Sequence, residues 1–174
     1  MSKYKILIEP DPILRQKCEP IDIVDDELRK LMRGMLETMY KAPGIGLAAI
    51  QLGILKRVVV IDISKDSEKK NPLFLVNPEI TFKSKKTSTF EEGCLSLPGQ
   101  YAEIERPAEC HLQYLDFHGK KKEIKADGLL STCIQHEVDH LKGVLFVDRV
   151  TSKEDLKKEL VKEGYKMKDV IPIN

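Results

Sequence analysis

Apolar residues recur at helical spacing in three segments of the chain, which span residues 25–41, 129–142 and 153–163. In each segment, side chains three or four positions apart share one face, as in a helix that packs against a core. Aspartates that precede the first two segments can cap their N-termini, and Gly143 ends the second. The hydrophobic pattern therefore predicts three helices, the last of them close to the C-terminus.

Short apolar or β-branched runs, typical of strands, lie between the first two helices. Proline, glycine or asparagine separates most of these runs, as expected for turns. The strands follow one another without regular alternation with helices, which favours an α+β fold. We expect mostly antiparallel sheets packed around a central helix, 129–142, with a C-terminal helix beyond them. The predicted strands are 57–63, 73–76, 80–82, 87–90, 102–117 with a break at Arg106-Pro107, and 122–125.

Length and charge limit the classes of protein that remain. The chain has 174 residues, which suits one domain, and we expect a single catalytic domain over residues 1–174. Lysine and arginine total 29 against 28 acidic residues, so the net charge of +1 predicts neither DNA binding nor a membrane partner. No apolar run reaches the ~20 residues of a membrane span. The four cysteines lack framework spacing, so we expect reduced thiols and a cytoplasmic location.

The most specific chemical pattern is H-E-x-x-H at residues 136–140, within the second predicted helix. Two side chains four residues apart share a helix face, with Cβ atoms about 5–6 Å apart. His136 and His140 can therefore bind one divalent ion, while Glu137 can take a proton from water on that ion. The motif predicts a metal-dependent hydrolase.

A catalytic site of this kind needs a third protein ligand. His111 lies in a predicted strand and His118 at a turn, and both are interpreted as ordinary histidines. Cys133 shares the helix face, but it lies about 10 Å along the axis from His140, too far to share an ion. Cys94 lies between Gly93 and a nearby proline in a loop or strand end that can aim a thiolate, so it is the better candidate.

A glycine-containing segment, 43–51, is the third unusual feature. It superficially resembles a dinucleotide fingerprint, but a helix precedes the glycines where that fingerprint needs a strand. One interpretation is a small-residue loop packed in the core. The other is a backbone surface that a peptide approaches, with Gln51 supplying a side-chain amide.

Three segments, in this order and at these separations, closely resemble the signature motifs of peptide deformylases. The resemblance extends across nearly the whole chain, from residues 9–15 to 145–146. Peptide deformylases remove the N-formyl group from the initiator methionine of nascent polypeptides. The segments are Gly44-Ile45-Gly46-Leu47-Ala48-Ala49-Ile50-Gln51, Glu92-Gly93-Cys94-Leu95-Ser96 and Gln135-His136-Glu137-Val138-Asp139-His140.

The resemblance implies a role for each matching residue. Glu137 would be the general base and then the acid, and the Gln51 amide and the Leu95 backbone N–H would hold the oxyanion. Ferrous iron would be the physiological metal, with zinc, nickel or cobalt able to replace it. The metal would be bound by Cys94, His136 and His140. The substrate cleft and methionine pocket would be lined by Ile45, Gly46, Phe90, Leu129, Thr132 and Cys133.

The sequence leaves open the role of Tyr101 and the class of metal protein. Many relatives carry arginine at the position of Tyr101, which puts in doubt a contact there with the substrate's peptide carbonyl or carboxylate. A zinc-dependent peptidase and a structural metal module are the competing interpretations, although a structural site would want four protein ligands.

The expected partners are N-formylmethionyl nascent peptides. Lysines of the segment 157–168 could contact ribosomal RNA, or they could cover a solvated amphipathic helix.

Overall fold

The structure is a computed structural model that describes residues 4–65 and 69–150. Within these residues the fold is α+β, with two helices and two sheets whose strand pairings are all antiparallel. The predicted C-terminal helix, 153–163, and the lysine-rich segment 157–168 lie outside the described residues. Among the helices of the described part, none combines the length and apolar character that crossing a bilayer requires.

The two helices occur where periodicity predicts them. Helix α1 spans Asp26–Lys41, and its N-cap is Asp25, whose carboxylate accepts a hydrogen bond from the backbone N–H of Leu28 at 2.9 Å. Helix α2 spans Gly128–His140 and ends two residues before the predicted end. Asp127 occupies the N-cap position of α2, as predicted, but its side chain makes no capping hydrogen bond there.

The larger sheet has five strands in the order β1-β2-β3-β6-β7. The β-branched run 57–63 supplies β2, which is buried along its whole length. Strand β1 lies at one edge of this sheet and is formed by the glycine segment. The five strands are β1 (Gly46–Ala48), β2 (Val58–Ile61), β3 (Leu73–Lys83), β6 (Cys110–Leu115) and β7 (Lys121–Ala126).

Strand β3 is continuous where the sequence predicts two strands separated by Asn77-Pro78. The pairing of β3 with β6 changes register between Val76 and Glu79, which accommodates the interruption as a bulge. Asn77 adopts a φ of 50°, and its side chain bonds to both backbone groups of Ile21 at 2.8 Å. The predicted break is therefore a local distortion of one long strand.

The smaller sheet is the hairpin of β4 (Thr87–Cys94) and β5 (Leu97–Pro107). Both strands are longer than the sequence predicts, and their register shifts between Gly93 and Cys94. This irregularity lies at the strand end, immediately before the connecting turn. It puts Cys94 at the tip of the hairpin, as expected for a cysteine that a strand end aims.

Helix α2 brings the two sheets together, since it contacts strands of both. One apolar cluster joins the buried side chains Ile134 and Val138 of α2 to Val59, Ile61 and Leu75 of the five-stranded sheet. A second cluster packs α1 against the same sheet. A third joins the β4–β5 hairpin to the 3-10 turn Phe146–Arg149. The polar positions of α2 are consequently held between well-packed elements.

Candidate active site

Three possible metal ligands converge from two elements. Among the described residues, Cys94 of β4 and His136 and His140 of α2 form a group whose ligand atoms all lie within 4.8 Å of one another. The Cys94 Sγ is 3.4 Å from the His140 Nε2. His136 and His140 are buried, and their rings lie 5.1 Å apart in a T-shaped arrangement. The structure thus brings together the sulfur and the two imidazoles that the sequence selects.

The other candidate ligands stay apart from this group. The His111 ring packs 4.5 Å from the Phe82 ring, and His118 lies at the turn before β7. Cys133 is buried in α2, with its Sγ 4.0 Å from the carbonyl oxygen of Ile45. Cys133 therefore flanks the site, in agreement with the axial distance argued from the sequence.

A buried ion-pair network orients His136. Its Nδ1 is 2.9 Å from Glu92 Oε1, which leaves its Nε2 for the site. Arg106 donates two hydrogen bonds to Glu92, at 2.7 and 3.0 Å, and one to Asp139 at 2.9 Å. Asp139 also accepts from Arg149 at 2.5 and 2.9 Å. A carboxylate behind a ligating histidine fixes its tautomer and ring orientation. Burial opposes ionisation, yet bonds from His136 and Arg106 lower the pKa of Glu92.

Glu137 lies in the floor of the site and is 4% exposed. Burial raises the pKa of its carboxyl to about 7, and Glu92 and Asp139 act in the same direction while His136 and Arg106 oppose them. A carboxyl that titrates near neutrality suits proton transfer at physiological pH. A Cβ atom placed on Gly46 would lie 2.5 Å from Glu137 Oε1. The glycine segment therefore comes close to the acid–base candidate, and only a residue without a side chain fits there.

Gln51 is another neighbour of the Cys94 sulfur. Its Oε1 accepts a hydrogen bond from the backbone N–H of Ala48 at 3.0 Å, so its Nε2 points the opposite way. The Nε2 is 3.5 Å from Cys94 Sγ and 3.1 Å from the Ser96 hydroxyl. Leu95 follows Cys94 in the hairpin turn, and its side chain fills the space beside Gly44.

A largely apolar cavity of about 610 Å³ opens onto these groups. It is lined by residues from the glycine segment, from the hairpin and from α2. All six residues that the resemblance assigns to the cleft and methionine pocket line it, as do Gln51, Cys94, Leu95, His136 and Glu137. The six are Ile45, Gly46, Phe90, Leu129, Thr132 and Cys133.

The donor set fits a divalent metal ion. Nitrogen and sulfur donors at these separations suit bonds of about 2.0–2.3 Å to one ion. Burial lowers the pKa of His140, which favours the neutral imidazole that binds metals. For His136, burial acts in the same direction, but hydrogen bonds to Cys94 and Glu92 outweigh it and raise the pKa.

Arg106 is important for the site, but no sequence motif singles it out. Arg106 pairs with Glu92 across the hairpin and with Asp139 of α2, and these contacts span 14 and 33 positions. The sequence does carry one signal for the role of Glu92. It precedes Cys94 by two positions, and side chains two positions apart on a strand point to the same face. Glu92 and Cys94 consequently share the face of β4 that meets α2.

The fold and the site define a metal-dependent hydrolase: two helical histidines, a cysteine from a hairpin, and a buried carboxyl beside an apolar cleft. Comparisons with known proteins specify the class further. The sequence profile of the family described as "Polypeptide deformylase" matches residues 3–156. A peptide deformylase of Pelagibacter ubique is 58% identical over 161 residues, which are 92% of each chain. One of Rhizobium meliloti is 51% identical over 161 residues, 92% of this chain and 91% of the relative.

Solved structures agree with the sequence comparisons. The crystal structure of a peptide deformylase from Synechococcus elongatus in complex with actinonin superposes with a TM-score of 0.96 at 44% identity, covering 99% of this chain and 94% of the other. The chain belongs to the peptide deformylase family. It is a metal-dependent hydrolase that removes the formyl group from N-formylated nascent polypeptides and releases formate. The comparisons therefore favour deformylation over the peptidase interpretation.

Proposed function

We propose that the converging residues divide the deformylation reaction among themselves. Cys94, His136 and His140 hold the metal ion, and Glu137 serves as base and then acid. Gln51 and the Leu95 backbone N–H stabilise the oxyanion. The convergence of one sulfur and two imidazole nitrogens within 4.8 Å carries this proposal, because the described residues contain no other group of three or more His, Cys, Asp or Glu that could hold a metal ion. A bound divalent ion would polarise the formyl carbonyl and lower the pKa of water from 15.7 to around 7.

Glu137 carries out the proton transfers. Its carboxylate accepts a proton from the attacking water and later delivers it to the departing nitrogen of methionine. Its raised pKa brings the two protonation states close in energy, as the double role requires. The Gln51 Nε2 meets the negative oxygen of the tetrahedral state, since its own oxygen is held by the Ala48 N–H.

The substrate lies along the glycine segment. Strand β1 is at the edge of its sheet, so Gly46 and its neighbours can pair with an extended peptide backbone. Ile45 and Leu129 are 44% and 42% exposed at the cavity and offer apolar surface to the methionine side chain. Phe90, Thr132 and Cys133 complete the methionine pocket, since they line the same cavity.

Ferrous iron is the proposed physiological metal, with zinc, nickel or cobalt as substitutes. The donor set suits several of these ions, and affinity order alone does not select one. An iron–thiolate site should be sensitive to oxygen. Purification without oxygen, followed by metal analysis, is expected to yield iron, whereas zinc alone with full activity would contradict this assignment.

The proposed function also bears on the domain organisation, the location and the partners of the protein. We propose that residues 1–174 form one catalytic domain in which α2 is the central helix, supported by its contacts with both sheets. A cytoplasmic location stays a proposal, supported by the nascent chains on which the enzyme acts. Docking of the lysine-rich segment 157–168 to the ribosome stays a proposal, and salt-sensitive cosedimentation that is lost on truncation after Val150 would support it.

Replacement of the acid–base group tests the proposal. Glu137→Ala should retain the metal and lose activity on formyl-Met-Ala by about 10²–10⁴-fold, because the removed group carries the proton. Glu103→Ala, which removes an exposed carboxylate from the same hairpin as Cys94, is the matched control and should behave as wild type. Unformylated Met-Ala should remain intact with every variant. Full activity of Glu137→Ala would falsify the mechanism.

A further inference from the structure

Ser96 is a fully buried polar residue beside the site to which the proposed mechanism gives no role. It is 0% exposed and lies two positions after Cys94, in the turn of the hairpin. Its hydroxyl oxygen accepts a hydrogen bond from Gln51 Nε2 at 3.1 Å. A buried hydroxyl paired with a group that faces the reacting atoms differs from one that merely fills space.

Both ends of the Gln51 amide are held. The Ala48 N–H can only donate, so the atom 3.0 Å from it is the amide oxygen, and the orientation of the amide is unambiguous. The nitrogen at the other end carries two hydrogens. When one points to the Ser96 hydroxyl, the planar geometry of the amide sends the other in a different direction, and Cys94 Sγ lies 3.5 Å away.

We infer that Ser96 is a positioning residue for catalysis: it holds one hydrogen of the Gln51 amide so that the other faces the developing oxyanion. This inference rests on the proposed role of Gln51. An oxyanion donor contributes most when it is oriented before the reaction, since no reorganisation is then needed in the transition state. Without the Ser96 hydroxyl, the amide nitrogen would keep only its long contact with Cys94 Sγ, and it could turn away from the oxyanion.

Removal of the hydroxyl should leave the surrounding backbone in place. The Ser96 carbonyl accepts a hydrogen bond from the backbone N–H of Glu9 at 2.8 Å, and Ser96→Ala does not alter this bond. Cys94, Leu97 and the hairpin pairing are likewise unchanged. Ser88→Ala is the matched control, because it removes from the same hairpin a buried hydroxyl that has no hydrogen-bond partner.

A double-mutant cycle separates positioning from structural support. Steady-state kinetics on formyl-Met-Ala are compared for wild type, Ser96→Ala, Gln51→Ala and the double variant, with metal content measured for each. Ser96→Ala should lower kcat by about 3- to 10-fold, the effect of one neutral hydrogen bond, with KM nearly constant. In the Gln51→Ala background it should have no further effect. Ser88→Ala should keep the wild-type kcat.

A spectroscopic measurement gives a readout that does not depend on activity. In ¹⁵N-labelled, zinc-loaded protein, the side-chain amide signals of Gln51 are identified by their loss in Gln51→Ala. We expect Ser96→Ala to shift them and to speed the exchange of their hydrogens with water. An equal loss of kcat in both backgrounds, or unchanged Gln51 signals, would overturn the inference. If wild type left formyl-Met-Ala intact, the proposed function would fail, while the spectra would still decide whether Ser96 orients the amide.

Discussion

Gly46→Ala tests how closely the glycine segment is fitted to the acid–base group. The new Cβ would lie 2.5 Å from Oε1, 2.9 Å from Cδ and 3.0 Å from Cγ of Glu137. Ordinary contacts lie at about 3.5–4.0 Å, so the carboxylate or β1 must shift by roughly 1 Å. Glu137 is buried in a helix that contacts both sheets, and therefore it has little room to retreat.

A displacement of about 1 Å at the reacting groups can reduce a rate about 10²-fold. We expect Gly46→Ala to lose about that factor in kcat/KM on formyl-Met-Ala. The metal should remain, because the ligands Cys94, His136 and His140 are untouched. Overpacking should reduce the free energy of unfolding by about 1–3 kcal/mol.

The matched control is Gly34→Ala in α1. A Cβ there would lie 2.6 Å from the ring of Tyr4, a clash of similar size that involves no residue of the site. This variant should keep its activity even if its stability changes. Wild-type kcat/KM in metal-bound Gly46→Ala would contradict the steric conflict between position 46 and Glu137. An equal loss of activity in Gly34→Ala would contradict it as well.

Two further predictions concern the metal and the network behind it. Cys94→Ala should lose most of its bound metal, measured by elemental analysis, and its activity should not recover when metal is returned, whereas chelator-treated wild type should recover. Glu92→Gln should weaken metal binding by about 10–100-fold, because the carboxylate orients His136. It should also lower the free energy of unfolding by about 3–5 kcal/mol, because Arg106 loses its bidentate partner. Unchanged metal affinity in Glu92→Gln would contradict this reasoning, with exposed Glu103→Gln as the control.

The sequence predicts which residues converge at the candidate metal site, because the relation between the two histidines is local. A spacing of four positions on a helix fixes the relation between His136 and His140. The same axial rise argues against Cys133 as a ligand and leaves Cys94. The boundaries of the strands are less well predicted, because pairing decides them. The β4–β5 hairpin is longer than its apolar pattern, since its inner face holds Glu92 and Arg106 where a core strand would hold apolar residues.

The supporting contacts could not be predicted because they join distant parts of the chain. Gln51 and Ser96 are 45 positions apart, and Arg106 and Asp139 are 33 apart. No spacing rule links such pairs, although Gln51, Ser96 and Asp139 each lie in one of the three segments that resemble the deformylase motifs. The effect of tyrosine at position 101 also depends on the tertiary structure. Its ring covers Gly93, its partner across the hairpin, and it lies at the cavity rim with 64% of its surface exposed.

The balance of charge explains why this pocket suits a divalent ion. Glu92 and Asp139 are compensated by Arg106 and Arg149, so the network behind the site adds no net charge. The remaining groups that can carry a negative charge are the Cys94 sulfur and the Glu137 carboxyl, and both line the same cavity. Burial of uncompensated charge is costly, and in the absence of metal the raised pKa values of His136 and Glu137 bring protons into the site. A doubly charged cation can replace those protons, so metal binding should release them, and Glu137 then becomes free to act as a base.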